Sequence, residues 1–314
     1  MTRISAVIRE AAAVLRRGGL VAFPTETVYG LGADASNPAA VARIYQVKGR
    51  PAGHPVIVHI GDARQLERWA REVPNDAKKL AARFWPGPLT LVLKRALGVG
   101  DYLTGGEDTI GLRMPNHPVA LELLRQFGGG IAAPSANKFG RISPTTAEHV
   151  SDDLGDEVDL ILDGGPCEIG IESTIIDLSR DRPVLLRPGR ISVEEIAATL
   201  SVKPEPRDRS APRAPGMLES HYAPRKPLRL VVGDQWKRGA WQNCAVLCFS
   251  ARPVGEKSIM WISASRDPQR YARDLYSNLR ALDASGCDEI LVEEPPASAE
   301  WAAVRDRLVR ARSK

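Results

Sequence analysis

Short apolar runs and longer amphipathic stretches follow one another along the first 200 residues. The apolar runs predict strands at 20–24, 56–60, 89–94, 109–114, 131–135, 159–165, 174–178 and 184–189. The amphipathic stretches predict helices at 5–17, 37–47, 62–70, 75–84 and 117–127, and a capping box of Ser192 and Glu195 begins one more. Residues 25–35 are predicted as a loop rich in hydroxyls and glycine. Because strands and helices are interleaved, the pattern predicts an α/β fold with a mixed sheet.

The pattern stops near residue 201 and restarts after residue 226. Six prolines between residues 204 and 227 predict an extended, semi-rigid linker, because proline fixes φ and removes a backbone donor. Beyond it, further apolar runs and two amphipathic stretches predict a smaller Rossmann-like α/β domain. The predicted organisation is therefore a catalytic domain at 1–200, a linker at 201–226 and a C-terminal domain at 227–314.

The composition is that of a globular protein and excludes several classes. Hydrophobic residues make up 43% and charged residues 26% of the 314 residues, which argues against disorder and fibrous structure. Lys and Arg number 43 against 38 Asp and Glu, a net charge of +5 that permits phosphate-bearing ligands or RNA without requiring them. The four cysteines form no C-x-x-C pair, and no apolar run reaches the roughly 20 residues of a membrane span. We expect reduced thiols, a cytoplasmic location and no membrane association.

Candidate chemistry lies where strands and helices end, in segments that combine small, hydroxyl and basic residues. Lys48 and Arg50, in a loop expected to be exposed, suggest a phosphate clamp, although a solvated helix end is the alternative. Arg113 in an apolar strand needs an anionic partner, which is either a structural carboxylate or a carboxylate on a ligand. Together the segments predict a concave site for ATP phosphates and a small carboxylate, with electrostatic stabilisation instead of an enzyme nucleophile.

The motifs also carry a resemblance. Seven of them occur in this order: PTETVYGLGADA, KGRPAGHPVIVHI, FWPGPLTLVLK, TIGLRMPNHP, APSANKFGRISPTT, GIESTIIDL and LLRPGRIS. They resemble the YrdC-like family throughout residues 1–200, with Lys48-Gly49-Arg50 and Ser135-Ala136-Asn137 as its paired signature. The linker APGMLESHYAP and the trailing domain are similar to the long, two-domain form of that family. Glu26 departs from the Asp that we associate with the family's P-T-D-T string, and it keeps the charge.

The resemblance implies a twisted mixed sheet and a reaction. L-Threonine, bicarbonate and ATP would give threonylcarbamoyl-adenylate, pyrophosphate and water. The product would pass to a tRNA threonylcarbamoyl-transferase system that modifies adenosine 37, and weak direct binding of tRNA or double-stranded RNA is a further expectation. A divalent cation, expected to be Mg²⁺, would be carried on the ATP phosphates rather than in a protein cage.

The resemblance also implies roles for individual residues. Those expected around L-threonine are Thr27, His59, Arg113, Ala133 and Ser173. Those expected around ATP are Arg50, His54, Thr109, Ser135, Ser143, Arg187 and Tyr222. The catalytic set would be Lys48, Arg50 and Asn137.

Two other functions and one structural hypothesis remain at this point. An RNA-binding module would bind with a steep salt dependence and would not turn over ATP. A carbamoyl-phosphate-dependent maturation factor would bring acylphosphatase and C-x-x-C zinc modules, which this chain lacks. Residues 204–224 are predicted to fold back over the site as a lid that excludes water, with a passive tether as the alternative.

Overall fold

A computed structural model describes residues 3–216, 221–232, 243–252 and 258–312 of the chain. The chain divides into two compact units, and neither is continuous in sequence. The first unit contains residues up to 139, residues 144–168 and residues from 172 into the linker. The second unit contains the C-terminal residues together with two short segments, 140–143 and 169–171, that lie inside the predicted catalytic domain.

The first unit is built on one ten-stranded mixed sheet. Along the sheet the strands follow the order β10-β9-β8-β4-β5-β3-β6-β2-β1-β7, with parallel and antiparallel neighbours. The strands are β1 Val21–Phe23, β2 Gly30–Asp34, β3 Ile57–His59, β4 Leu89–Lys94, β5 Thr109–Arg113, β6 Ile131–Ala132, β7 Leu160–Ile161, β8 Thr174–Asp177, β9 Val184–Arg187 and β10 Glu205–Pro206. The predicted mixed α/β architecture is confirmed.

Helices connect these strands, and their ends follow from local chemistry. They are α1 Arg3–Arg16, α2 Pro38–Lys48, α3 Leu66–Trp69, α4 Asn75–Phe84, α5 Asp101–Thr104, α6 Pro118–Phe127, α7 Ala147–Leu154 and α8 Val193–Leu200. The Asn37 side chain caps α2, and Ser192 with Glu195 forms the predicted capping box of α8. Gly128 ends α6 in the left-handed conformation.

Core side chains cover both faces of the sheet. Side chains alternate along β4, so that Leu91 belongs to the main core cluster and Val92 to a second cluster. The second cluster includes Ile57, Ile175 and, from the linker, Ala214. Burial of each large apolar side chain contributes roughly 1.5–3 kcal/mol. The linker is therefore part of the packing of the first unit.

One prediction of local structure was wrong. Residues 25–35 do not form one loop, because Gly30–Asp34 is the strand β2. Glycine is needed there, since a Cβ at Gly32 would lie 2.8 Å from the ring of Phe23. The linker packs on the first unit: Glu205–Pro206 pairs with β9, and residues up to 216 belong to that unit. Residues 217–220 of the predicted lid lie outside the described residues.

The second unit is a smaller α/β unit around a parallel sheet. Its strands are β11 Leu228–Val231, β12 Cys244–Cys248, β13 Met260–Ser263 and β14 Glu289–Glu293, in the order β11-β14-β12-β13. All three strand pairs are parallel, and the described residues of this unit also form the helices α9 Pro268–Ala284 and α10 Ala302–Ala311. In the part of the chain that the structure describes, no helix combines the length and apolar character needed to cross a bilayer.

Candidate active site

Arg113 lies at the centre of the first group of polar residues. It is the last residue of β5, its side chain is buried, and its Nη2 forms an ion pair with Glu26 Oε1 at 2.7 Å. Its Nη1 donates a hydrogen bond to Thr27 Oγ1 at 2.9 Å, and its Nε donates to the carbonyl of Gly87 at 3.3 Å. The structural carboxylate that Arg113 needs is thus Glu26, and Thr27 lies beside Arg113.

His59 is the neighbour of Arg113 on the adjacent strand. The two residues are in register between β3 and β5. Burial, together with the positive charge of Arg113, lowers the pKa of His59 to about 3. The imidazole is therefore neutral at physiological pH, and its Nδ1 has no hydrogen-bond partner among the described residues. A neutral ring of this kind can donate or accept a hydrogen bond without adding charge.

Lys48 orders the loop that carries Ser135 and Asn137. Its buried Nζ donates to the carbonyl of Ser135 at 2.6 Å, and to the carbonyl and the side-chain oxygen of Asn137. Burial, and next the charge of Arg50, hold the Lys48 pKa well below its ordinary value. The two halves of the paired signature are thus in direct contact. Because these carbonyls accept hydrogen bonds from Lys48, the lysine ties the end of α2 to the loop of Ser135 and Asn137.

Arg50 and His54 meet on the ring of Phe139. The Arg50 guanidinium lies 5.6 Å from the ring centroid, and the His54 ring centroid lies 5.5 Å from it. Arg50 is buried and donates from Nη2 to the carbonyl of Pro55, so the expectation of an exposed loop was wrong. Phe139 in turn donates its backbone N–H to the carbonyl of Lys48. This arrangement fixes the guanidinium as a planar donor against an aromatic surface.

The linker lies beside Thr109. A small cleft is lined by Thr109, Pro55, Arg213, Ala214 and Pro215, among other residues. Arg213 donates to the carbonyls of Gly53 and Gly105 and pairs with Glu107. Residues 205–216, here called the connector segment, are therefore fastened to the loop that carries Arg50 and His54.

Ser173 and Arg187 form a second buried group in the first unit. Arg187 donates from Nε to the Ser173 carbonyl and from Nη2 to Ser173 Oγ, and its Nη1 donates to the carbonyl of Pro215. Ser173 Oγ also lies 2.8 Å from Thr90 Oγ1. Ala133 donates its N–H to the carbonyl of Ile57, next to the strand of His59. Arg187 thus links Ser173, which is expected to contact L-threonine, to the connector segment.

Ser143 and Tyr222 belong to the second unit, unlike the other predicted site residues. Both are buried. The Tyr222 ring is stacked on Tyr276 with centroids 5.8 Å apart, and the guanidinium of Arg307 lies 5.4 Å from its centroid. Like the roles of the other predicted site residues, the assignment of these two residues to ATP stays a prediction.

Sequence reasoning missed three contributors to the site. The pairing of Glu26 with Arg113 spans two distant motifs, and only the buried charge of Arg113 indicated that a partner must exist. Phe139 follows the Ser-x-Asn motif by two residues, and an aromatic residue in a polar loop was its one signal. Arg213 lies in the proline-rich stretch, and it was missed because that stretch was interpreted only as a linker.

Two family models cover most of the chain. One, described as "Telomere recombination" (Sua5_yciO_yrdC), matches residues 13–189. The other, described as "Threonylcarbamoyl-AMP synthase, C-terminal domain", matches residues 191–313. The boundary between the two matches falls next to the capping box of α8.

Relatives and solved structures resemble the chain over nearly its full length. A Pyrococcus abyssi protein named threonylcarbamoyl-AMP synthase is 44% identical, over 97% of this chain and 93% of the relative. A Bacillus subtilis protein of the same name is 43% identical, over 97% and 92%. The crystal structure of P. abyssi Sua5 complexed with L-threonine superposes with a TM-score of 0.89 and 41% identity, covering 98% of this chain and 94% of that one.

Proposed function

The chain belongs to the Sua5/YciO/YrdC family, and on that basis and the geometry of its basic site we propose that it makes threonylcarbamoyl-AMP from L-threonine, bicarbonate and ATP. It is an enzyme of the nucleotidyltransferase type. The observation that supports this most directly is the buried Arg113, which lies among Thr27, His59 and Glu26 in the same unit as the loop ordered by Lys48. A guanidinium in that setting is suited to a small carboxylate.

The reaction requires two bond-forming steps. The free amine of threonine attacks the carbon of bicarbonate, and loss of water leaves a carbamate. A carbamate oxygen then attacks the α-phosphorus of ATP. The bond between that phosphorus and the oxygen that bridges the α- and β-phosphates breaks, and pyrophosphate leaves. Neither step needs a covalent bond to the enzyme.

The residues of the site act on charge and position. Arg113 holds the threonine carboxylate, while the neutral His59 and Thr27 offer hydrogen bonds without further charge. Arg50, fixed against Phe139, stabilises negative charge that develops on the phosphates, and such a contact contributes about 2–4 kcal/mol in comparable sites. Mg²⁺ would neutralise phosphate charge, and it would reach the site on ATP, since phosphate oxygens and water are its usual ligands.

The finer parts of this function are also proposals. The activated product would be consumed by an enzyme system that transfers the threonylcarbamoyl group to adenosine 37 of tRNA. Weak direct binding of tRNA or double-stranded RNA is consistent with the net charge of +5. A cytoplasmic location is supported by the four cysteines, which are all unpaired thiols.

The test is release of pyrophosphate from ATP by the purified full chain. We expect release only when both L-threonine and bicarbonate are present, and we expect threonylcarbamoyl-AMP as the matched product by mass spectrometry. Reactions lacking either substrate are the controls. ATP turnover that is indifferent to threonine would rule the function out, and salt-sensitive RNA binding without turnover would favour the RNA-binding alternative. The maturation-factor alternative predicts turnover of carbamoyl phosphate instead.

A further inference from the structure

Glu26 is a buried carboxylate with an uncompensated oxygen. Its side chain is 3% exposed, and its Oε1 lies 2.7 Å from Arg113 Nη2. Its Oε2 is also buried and accepts no hydrogen bond from any residue that the structure describes. A buried carboxylate oxygen without a donor is costly, so the site has an unmet demand for a donor or a cation at this point.

Arg113 can bind a ligand without releasing Glu26. A guanidinium has five N–H groups; the hydrogen bonds of Arg113 to Gly87 and Thr27 use two of them, and its ion pair with Glu26 at Nη2 occupies at most one more. One N–H on each terminal nitrogen therefore remains for a ligand carboxylate. A substrate that takes up these two donors comes to lie next to Glu26.

Three titratable groups of this region, His59, His117 and Cys167, are neutral around pH 7. Burial lowers the pKa of His59 to about 3 and also lowers that of His117. Burial, and next the charge of Glu26, raise the pKa of the Cys167 thiol to about 12. Neither the two histidines nor the thiol therefore adds a charge beside the ion pair of Glu26 and Arg113.

We propose that Glu26 binds the ammonium group of the amino acid substrate while Arg113 binds its carboxylate, so that the pair recognises both charges of a zwitterion. The inference rests on the proposed function for the identity of that amino acid as threonine. In an α-amino acid, the ammonium and the carboxylate are bonded to the same carbon, so the two charges lie close together. This short distance between the charges matches a carboxylate and a guanidinium that are in contact with each other. Without substrate the two side chains neutralise one another, which keeps the buried charges paired.

Recognition of this kind excludes carboxylates that lack an amino group. A ligand such as (R)-3-hydroxybutanoate, which is threonine without its amine, would engage Arg113 and leave Glu26 Oε2 buried and unpaired. A site built around a polar group rejects analogues that lack it far more strongly than an apolar pocket does. Glu26 would therefore determine specificity for the one group that must later be carbamoylated.

The experiment compares two ligands in two proteins by calorimetric titration of the full chain. The ligands are L-threonine and (R)-3-hydroxybutanoate, and the variant is Glu26→Gln, which keeps the shape and removes the charge. Loss of a charge-assisted hydrogen bond is worth about 1.5–3 kcal/mol, so threonine affinity should fall roughly 10- to 150-fold. Affinity for (R)-3-hydroxybutanoate should stay unchanged or rise. Glu122→Gln is the matched control, because it removes a carboxylate from an exposed ion pair with Arg125.

Three results would overturn the proposal. Equal weakening of both ligands would mean that Glu26 only holds Arg113 in place, and no change in either would mean that it does not act on the ligand. If Glu26→Gln does not fold, the wild-type protein decides alone, and threonine binding less than tenfold tighter than (R)-3-hydroxybutanoate contradicts the proposal. If the wild type binds L-serine but not L-threonine, the proposed function fails, and the same comparison is then made with L-serine and 3-hydroxypropanoate.

Discussion

Arg113 combines two tasks that a lysine at the same place could not. It holds Glu26 and Thr27 with part of its planar fork and keeps two N–H groups for a ligand. In Arg113→Lys the charge remains and the fork is lost. We expect the KM for threonine to rise about 10- to 100-fold, from loss of a bidentate contact, while the KM for ATP changes little. Steady-state pyrophosphate release with each substrate varied in turn measures both, and an unchanged threonine KM would contradict the assignment.

Arg50 is a second residue whose role can be separated from the fold. Because it is buried on Phe139, removal of the side chain would also affect packing, so stability must be measured with activity. We expect Arg50→Ala to lower kcat/KM for ATP by about two orders of magnitude, and Arg50→Lys by a smaller factor. Denaturant unfolding of both variants is the control. Normal turnover in a folded Arg50→Ala protein would mean that Arg50 has no role in the reaction and that its loop only ends helix α2.

His59 predicts a pH dependence of stability. Its pKa is about 3 in the folded state against an ordinary value of 6.5, so only the unfolded state takes up the proton between those values. This contribution to the free energy of unfolding is complete above pH 6.5 and is lost as the pH falls towards 3. Urea unfolding at pH 7 and pH 4 should show a smaller loss for His59→Gln than for the wild type. Equal losses in the two proteins would mean that His59 titrates normally.

Helices that begin at a capping residue close in sequence were predictable. Elements that depend on residues far away in the sequence were not. Asn37 and the Ser192–Glu195 pair begin their helices through side chains within three residues, so the sequence contains the whole signal. The strand β2 was missed because its glycines are selected by the ring of Phe23 on the neighbouring strand. In the site, the basic loops were predictable by composition. The pairing of Glu26 with Arg113 depends on the fold that brings two motifs together.

The connector segment is the element whose function can be tested most directly. Arg213 fastens it to the carbonyl of Gly53, next to His54, and to Gly105 and Glu107. In Arg213→Ala we expect faster proteolysis within residues 205–216 and a higher KM for ATP, because the loop loses its neighbour. Arg209→Ala, a change at an exposed arginine of the same segment, is the control. If limited proteolysis and ATP kinetics are the same in both variants, the segment is a passive tether.

At the scale of the whole molecule, the chain crosses between its two units four times before residue 173. Residues 140–143 and 169–171 leave the first unit and return to it. In the second unit, Ala223 donates to the carbonyl of Gly140, and Arg280 donates to the carbonyl of Ile142. A cut at the linker would therefore leave the second unit without two of its own segments.

Gly170 provides a test of that organisation. Its φ is +76°, and a Cβ would lie 2.2 Å from the carbonyl oxygen of Arg273 in α9. Gly140 in the same unit has a φ of +79° with no atom near its missing Cβ. Both alanine variants carry backbone strain, so the difference between them isolates the clash. We expect Gly170→Ala to lower the free energy of unfolding by about 1–3 kcal/mol more than Gly140→Ala, measured by urea denaturation.

The discontinuous second unit also sets an order of events during synthesis. Ile142 and Ile171 are buried in the finished protein and belong to a unit whose helices α9 and α10 are translated much later. At typical elongation rates of about 5–20 residues per second, the ribosome needs roughly 7–28 s to pass from residue 171 to residue 312. Once both isoleucines have emerged from the ribosome, the later helices of their unit are still missing for much of that interval. A chaperone that binds short apolar segments should therefore bind nascent chains on ribosomes stalled near codon 230 more often than it binds the finished, released chain.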